Sequence, residues 1–359
     1  MTKTAVGIAV AGAGMIGRRH AAIIAATPYC TLSAIVDPAP AAVDFARTLG
    51  VPFFGSLGEL LTVARPDGVV LATPNQLHVE QALACVAAGV PALVEKPLAD
   101  TLEGGIALCE AAEAARVPIL VGHHRRHSAI MAKAVEIVEH GTLGSIVGVA
   151  GTALFYKAES EGYFDEAPWR RQPGGGPILI NMIHEIDNLR ALCGEIVAVQ
   201  AFASNATRRF PVEDTAAIIL CFASGALGTF MLSDTAATDR SWEHTSGEDP
   251  RYANAHTPDD DCYLIAGTHG SLAIPTMRIA RYPDAAHRSW HEALAKDTVP
   301  LDIVDPLARQ MAHFRDIVRG DAKPLVTARD GLQNLRVVAA IGEAARSGAA
   351  VTLPPVSEV

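Results

Sequence analysis

A glycine triplet, a lysine and a histidine carry most of the chemistry legible in this 359-residue chain. The segment Ala11-Gly12-Ala13-Gly14-Met15-Ile16-Gly17 has the spacing G-x-G-x-x-G. Between a strand and a helix, the first glycine allows a tight turn and the second lets backbone approach a pyrophosphate. The third lets helix and strand pack closely. The helix start, with Met15 and Ile16, then offers N–H groups to the anion. Asp37 lies 20 residues past Gly17, at the end of the next apolar run. An acid there accepts hydrogen bonds from the adenosine ribose and repels a 2′-phosphate. The following Pro38-Ala39-Pro40-Ala41 brings no Arg or Lys to hold that phosphate, so the expected cofactor is NAD, with NADP disfavoured.

Two further turns fall at strand ends. Ala72-Thr73-Pro74-Asn75-Gln76-Leu77-His78 follows one apolar run, and Val94-Glu95-Lys96-Pro97 ends the next. In a parallel sheet the carboxyl ends of strands line the ligand crevice. Thr73, Pro74, Asn75, His78 and Glu95 are therefore candidate cofactor neighbours, and Lys96 points into the same crevice. Removing hydride from an alcohol carbon requires the hydroxyl proton to leave, and a positioned Lys or His can take it or hold the alkoxide. His184 fits that task, since an imidazole titrates near neutrality.

The elements that must position these residues follow from periodicity. Residues 5–11, 31–36, 68–72, 91–94 and 117–121 read as short buried strands. They alternate with helical segments at 15–27, 40–49, 57–64, 76–88 and 101–115. That alternation predicts a doubly wound parallel sheet, an N-terminal Rossmann domain over 1–125. The pattern then changes: a helix at 129–140, strands at 145–156, 196–204, 213–222, 226–234, 262–267 and 270–274, and one helix at 177–193. This predicts an α+β domain over 126–359 with a mostly antiparallel sheet, so the whole is an α/β protein. Helices at 305–319 and 328–346 close the chain. The polar stretch 235–261 reads as a functional excursion or a mobile segment.

Composition narrows the function classes. Half the residues are hydrophobic and 19% are charged, with a formal net charge of −10. Nucleic acid is excluded as a partner, because phosphate binding needs clustered Lys and Arg, and only His123-His124-Arg125-Arg126-His127 is locally basic. No apolar run reaches membrane-spanning length. The start, Met-Thr-Lys-Thr, reads as lacking a signal peptide. Six cysteines without a C-x-x-C pair read as free structural thiols in a reducing, cytoplasmic setting. The adjacent His123 and His124 make a poor metal site, and no metal is expected. His124 and Arg126 instead read as neighbours of nicotinamide or substrate, while Tyr156, Trp169 and Arg170 read as substrate-pocket residues.

Taken together, the glycine loop with His20, the Ala72-Thr73-Pro74-Asn75 turn and Glu95-Lys96-Pro97 resemble the glucose–fructose oxidoreductase/inositol dehydrogenase family, Gfo/Idh/MocA. So do Val121-Gly122-His123-His124-Arg125-Arg126-His127, Trp169-Arg170 with Gly174-Gly175-Gly176, His184 with Asp187, and the end from Arg319-Gly320 to Asp330-Gly331. The resemblance implies a Rossmann domain plus an open-faced α/β domain, assembled as a homodimer or homotetramer through that sheet. It implies that Lys96 and His184 are catalytic, with a sugar or polyol between them and the nicotinamide. One position departs from the pattern: an Asp common four residues before the histidine is here Ile180, with Asn181 beside it. Asn181 cannot take a proton and is expected to bind substrate or orient His184; Asp187 is the other candidate for orientation. The leading expectation is an NAD-dependent dehydrogenase of a secondary alcohol on a sugar, cyclitol or related cyclic polyol. The alternatives are a dehydrogenase of an aromatic cis-dihydrodiol or carboxylated ring, and a non-catalytic dinucleotide sensor.

Overall fold

The structure, a computed structural model, describes residues 4–354. The first three residues, read above for targeting, lie outside the described residues, as do 355–359. Two compact units divide the chain. One runs to His127 and regains Asp305–Leu335; the other is Ser128–Val304 with the chain from Arg336 onward. Against the expected single cut at residue 125, the division falls after His127 and residues 305–335 return to the first unit, the last boundary lying inside the helix Ala328–Ser347.

In the first unit the chain forms β1 (Val6–Ala11), α1 (Met15–Ala26), β2 (Cys30–Val36), α2 (Ala41–Leu49), β3 (Phe53–Phe54) and α3 (Leu57–Val63). Then come β4 (Gly68–Leu71), α4 (His78–Ala88), β5 (Ala92–Val94), α5 (Leu102–Ala115) and β6 (Ile119–Val121). The six strands are all parallel, in the order β3-β2-β1-β4-β5-β6. Alternate residues of each strand feed two separate cores. Ile8, Val10, Val70, Leu93 and Leu120 pack on one face, and Ala9, Ala11, Leu71, Val94 and Val121 on the other. Burial on both faces explains why these strands read as continuous apolar runs rather than alternating ones.

The second unit holds α6 (Ala129–Glu139), β7 (Ile146–Leu154), α7 (Pro177–Ile180), α8 (Met182–Cys193), β8 (Ile196–Ser204), β9 (Thr215–Phe222) and β10 (Leu227–Ser233). It continues with α9 (Trp242–Thr245), β11 (Tyr263–Gly267), β12 (Gly270–Ile274), β13 (Arg278–Arg281) and β14 (Ala295–Thr298). After α10 (Pro306–Val318) and α11 (Ala328–Ser347), β15 (Val351–Thr352) completes a nine-stranded sheet ordered β14-β13-β12-β11-β7-β10-β9-β8-β15. Only β7 and β10 pair in parallel. One sheet face is covered: Val199, Ile218, Leu220, Phe230, Leu232, Ile265 and Leu272 share a core with Ile183, Ile186 and Leu189 of α8. The stretch expected as an excursion is anchored within this unit. Trp242 and Glu248 are buried, with Trp242 Nε1 donating to Glu248 Oε2 at 3.2 Å and Ser128 Oγ donating to Glu248 Oε1 at 2.5 Å.

Phe314 and Met311 of α10 are fully buried against the β1–α1 side of the first unit. Beside this core the imidazole of His127 lies 5.2 Å from that of His313, buried, with neither ring nitrogen hydrogen-bonded. Burial, then the neighbouring His313, pushes His127 down to about 3. The ring is neutral when folded and protonates in the unfolded chain below its ordinary value of 6.5. Stability is therefore complete above that value and is lost as pH falls toward 3, at about 1.4 kcal/mol per pH unit for this ring. Thermal melts at pH 7.5 and 5.0 should show a lower Tm at the acid value, and His127→Leu should shrink the difference. An unchanged difference would assign the acid sensitivity elsewhere.

Candidate active site

Within the first unit, the candidate residues gather at the carboxyl ends of parallel strands. Gly12 follows β1, Asp37 follows β2, Thr73 follows β4 and Lys96 follows β5. His124 and Arg126 lie on a 3₁₀ turn, His124–His127, just after β6. The glycine loop has the geometry its spacing requires. Gly12 sits at φ +94°, where a side chain would meet the Ala72 carbonyl at 2.5 Å. A Cβ on Gly17 would stand 1.8 Å from the Gly12 carbonyl oxygen, so helix and strand meet only because Gly17 lacks one. Gly14, the N-cap of α1, opens onto free space. No side chain caps that helix, and its first turn carries no acid. An uncapped helix start beside an open glycine fits a pyrophosphate, because the positive end of the helix dipole is left for the ligand. Met15 is exposed at this start and Ile16 is half-buried.

Asp37 does more than await a ribose. Its Oδ2 accepts from the Ala13 N–H at 2.7 Å and its Oδ1 from the Ala39 N–H at 2.8 Å. The carboxylate thereby ties the glycine loop to the end of β2, while each oxygen keeps a lone pair for a further donor.

The lysine turn is held from behind. Glu95 is buried and its Oε1 shares a 2.7 Å hydrogen bond with His20 Nε2 of α1. Burial alone would raise the Glu95 carboxyl, but the His20 bond and the charges of His20, His124 and Lys96 outweigh it, leaving it below its usual value. Glu95 is therefore a structural anion facing inward, not a cofactor-facing group. His78 is also buried. Its ring nitrogens lie 2.7 Å from the Pro97 carbonyl and 3.0 Å from the Thr73 carbonyl, so it staples the two turns together. Thr73 Oγ1 donates to Gln81 Oε1 at 2.7 Å, while Pro74 is exposed and Asn75 half-buried. His124 is pushed down to about 3 by burial and then by the neighbouring Arg125. At neutral pH it offers a hydrogen bond, not a charge. His123 instead packs inward, its Nε2 3.2 Å from Asn334 Nδ2. Among the described residues no group of three His, Cys, Asp or Glu stands close enough to hold a metal ion.

In the second unit His184 is buried on α8. The helix expected over 177–193 is broken at Asn181, which ends α7 and begins α8. Its side chain serves neither helix: Asn181 Oδ1 accepts from Lys157 Nζ at 2.8 Å. Asp187, the other candidate for orienting His184, is buried one turn beyond it. Trp169 and Arg170 lie on a 3₁₀ turn, Pro168–Arg171. Tyr156 and Trp169 are 59% and 50% exposed, which rules out a core-packing role for either ring. Two residues that the sequence reading missed complete this group. Lys157 follows Tyr156 just beyond β7, and its Nζ also bonds the Tyr163 hydroxyl at 3.1 Å. Their signal was a charged residue at a strand end next to an already suspected aromatic.

A family model described as the NAD-binding Rossmann fold of an oxidoreductase family matches residues 6–123, and the GFO/IDH/MocA C-terminal domain matches 131–273. The chain belongs to this family. Family relatives include the scyllo-inositol 2-dehydrogenase (NAD(+)) of Bacillus subtilis, 27% identical and covering 96% of this chain and 95% of that one. The 1,5-anhydro-D-fructose reductase of Ensifer adhaerens is 28% identical over 83% of each. Among solved family structures, the WlbA dehydrogenase of Bordetella pertussis in complex with NADH and UDP-GlcNAcA superposes with a TM-score of 0.76. It is 26% identical and covers 98% of this chain and 99% of that one. The first unit is thus the family's NAD-binding domain.

Gly17→Ala tests the loop geometry. Fluorescence titration with NADH should show affinity lower by about 100-fold or more, because relieving a clash of this kind moves the loop by more than an ångström. Wild-type affinity would contradict the packing described.

Proposed function

We propose that this chain is an NAD-dependent dehydrogenase of a secondary alcohol on a sugar, cyclitol or related cyclic polyol, with Lys96 and His184 as its proton-transfer groups. The observation that carries the reading is Lys96 at the end of β5, on a turn fixed by the buried Glu95–His20 pair and the His78 staple. The relatives named above, an inositol dehydrogenase and an anhydrofructose reductase, support the substrate class. When bound, the nicotinamide takes up the hydride that leaves the carbinol carbon. The protein's own part is to hold the substrate hydroxyl and move its proton. Lys96 donates hydrogen bonds to the developing alkoxide or accepts its proton, and His184 passes a proton onward. Asp187, buried on the same face of α8 one turn from His184, is the orienting carboxylate in place of the family acid that Ile180 replaces. Tyr156, Trp169, Arg170, Asn181 and His124 border the substrate. Arg126 joins the glycine loop, Asp37, Thr73, Pro74 and Asn75 around the cofactor. Asp37 with no nearby cation after β2 makes NAD the preferred dinucleotide.

The open sheet face of the second unit is the proposed seat of oligomerisation. Phe202, Ile219, Leu227, Met231 and Leu264 stand 68%, 46%, 58%, 40% and 48% exposed on neighbouring strands. A contiguous apolar patch of this kind is unusual on a monomer surface and suits a second copy of the same chain. No helix among the described residues is long and apolar enough to cross a membrane. No disulfide links the six cysteines, and burial pushes Cys85 and Cys193 up to about 12, which fits inert thiols in the proposed cytoplasmic setting.

Absorbance at the reduced-nicotinamide band, with NAD and a panel of sugars and cyclitols, should detect turnover. Lys96→Met should lower kcat by about 10³-fold while NAD still binds, the range a lost proton-transfer group produces. Near-normal turnover would reject the role of Lys96, and NAD binding without turnover on any alcohol would reject the dehydrogenase reading. For assembly, Met231→Glu should convert a dimer or tetramer toward monomer by light scattering; an unchanged mass would place the interface elsewhere.

A further inference from the structure

Lys157 and Arg170 make no ion pair among the described residues, although the Asp234 and Glu243 carboxylates act on Lys157 from farther off. Arg208 beside them is neutralised, its Nε bonded to Asp234 Oδ1 at 3.0 Å. Arg171 likewise pairs with Asp165 at 2.6 Å. Both lie over the Tyr163 ring, at 4.6 and 3.8 Å from its centroid. Arg170 donates through Nη1 to the Tyr163 carbonyl at 2.5 Å, and its buried Nε has no acceptor. Lys157 has three N–H donors, of which Tyr163 Oη and Asn181 Oδ1 take two. That leaves one Lys157 N–H, and the Tyr163 O–H, without an acceptor among the described residues.

We propose that Lys157, Tyr163 and Arg170 form an anion-binding subsite, so that the alcohol substrate is an anionic sugar bearing a carboxylate or phosphate. This rests on the dehydrogenase reading above and narrows its substrate class. Two half-buried positive groups in one wall cost free energy unless an anion joins them, and charged donors aimed at a carboxylate or phosphate are the strong hydrogen bonds of recognition. The environment carries the mark of that cost. Burial, opposed by Asp234 and Glu243 and reinforced by Arg170 and Arg208, pulls Lys157 down to about 8. Asn181 then has a defined part. Occupying the place beside Ile180, it accepts from Lys157 and orients the ammonium. A carboxylate there would neutralise the ammonium; the neutral amide positions the charge and leaves it available.

Matched pairs read this directly: D-glucose with D-glucuronate, D-galactose with D-galacturonate, and D-glucose with D-glucose 6-phosphate, each titrated by calorimetry with NADH present. At least one anion should bind about tenfold or more tighter than its neutral partner, and Lys157→Met should reduce that preference about tenfold. Lys157→Arg should keep most of it. If Lys157→Met does not fold, Tyr163→Phe, which removes one hydroxyl and keeps the ring, should lower the preference several-fold. A uronate hit with no phosphate hit assigns the carboxylate as the source of charge, and the reverse assigns the phosphate. Equal or better binding of the neutral sugars, no binding by any member, or equal losses for both members of a pair in Lys157→Met would overturn the subsite. An anion that binds in this way while no substrate yields reduced nicotinamide would instead leave the subsite standing and sink the dehydrogenase reading.

Discussion

The contact on which the first unit depends is the approach of Gly17 to the Gly12 carbonyl, closer than any side chain permits. It lets α1 start directly above the end of β1, with Gly14 left open and no side chain capping the helix. Asp37 then locks the loop from the neighbouring strand by accepting the Ala13 N–H. One carboxylate therefore shapes the pyrophosphate turn and, with its remaining lone pairs, is available to the ribose. In the proposed site the same carboxylate sets both position and specificity, so altering Asp37 would affect both.

The remaining turns of this unit are built on buried hydrogen bonds rather than on chain stiffness. His78 joins the Thr73 and Pro97 carbonyls, and His20 joins Glu95. These are inward-facing groups whose desolvation is balanced by a specific partner, which is how the turn beside the proposed catalytic lysine is kept rigid. The second unit uses a different device. Its α8 is buried almost throughout although it carries His184, Glu185, Asp187, Asn188 and Arg190. Tyr263 meets Glu185 and Asn188, and Arg190 meets Glu195, so these three polar residues are held by partners within the unit.

Much of this was legible in the sequence because the relevant signals are local. Buried parallel strands, the glycine spacing and Asp37 each need only a few neighbouring residues to be read. Strands β3, β13, β14 and β15 were not legible, since, unlike the equally short β4, β5 and β6, none is a fully buried run. At the break between α7 and α8, Asn181 finds its partner in Lys157, 24 residues away, and Glu95 finds its own in His20, 75 residues away. The polar composition of 235–261 hid Trp242 and Glu248, whose burial fixes that stretch. The burial of Asp187 was not legible, because nothing adjacent to it reveals that α8 is enclosed on nearly every side.

The central claim is that the Gly12–Gly17 loop and Asp37 make a site for NAD, and that Asp37 excludes the 2′-phosphate. Calorimetric titration of the wild-type chain with NAD and with NADP, at one pH and one salt concentration, measures it directly. NAD should bind about tenfold or more tightly, since a carboxylate facing the ribose hydroxyls repels the added phosphate. Equal affinities, or tighter binding of NADP, would contradict the account.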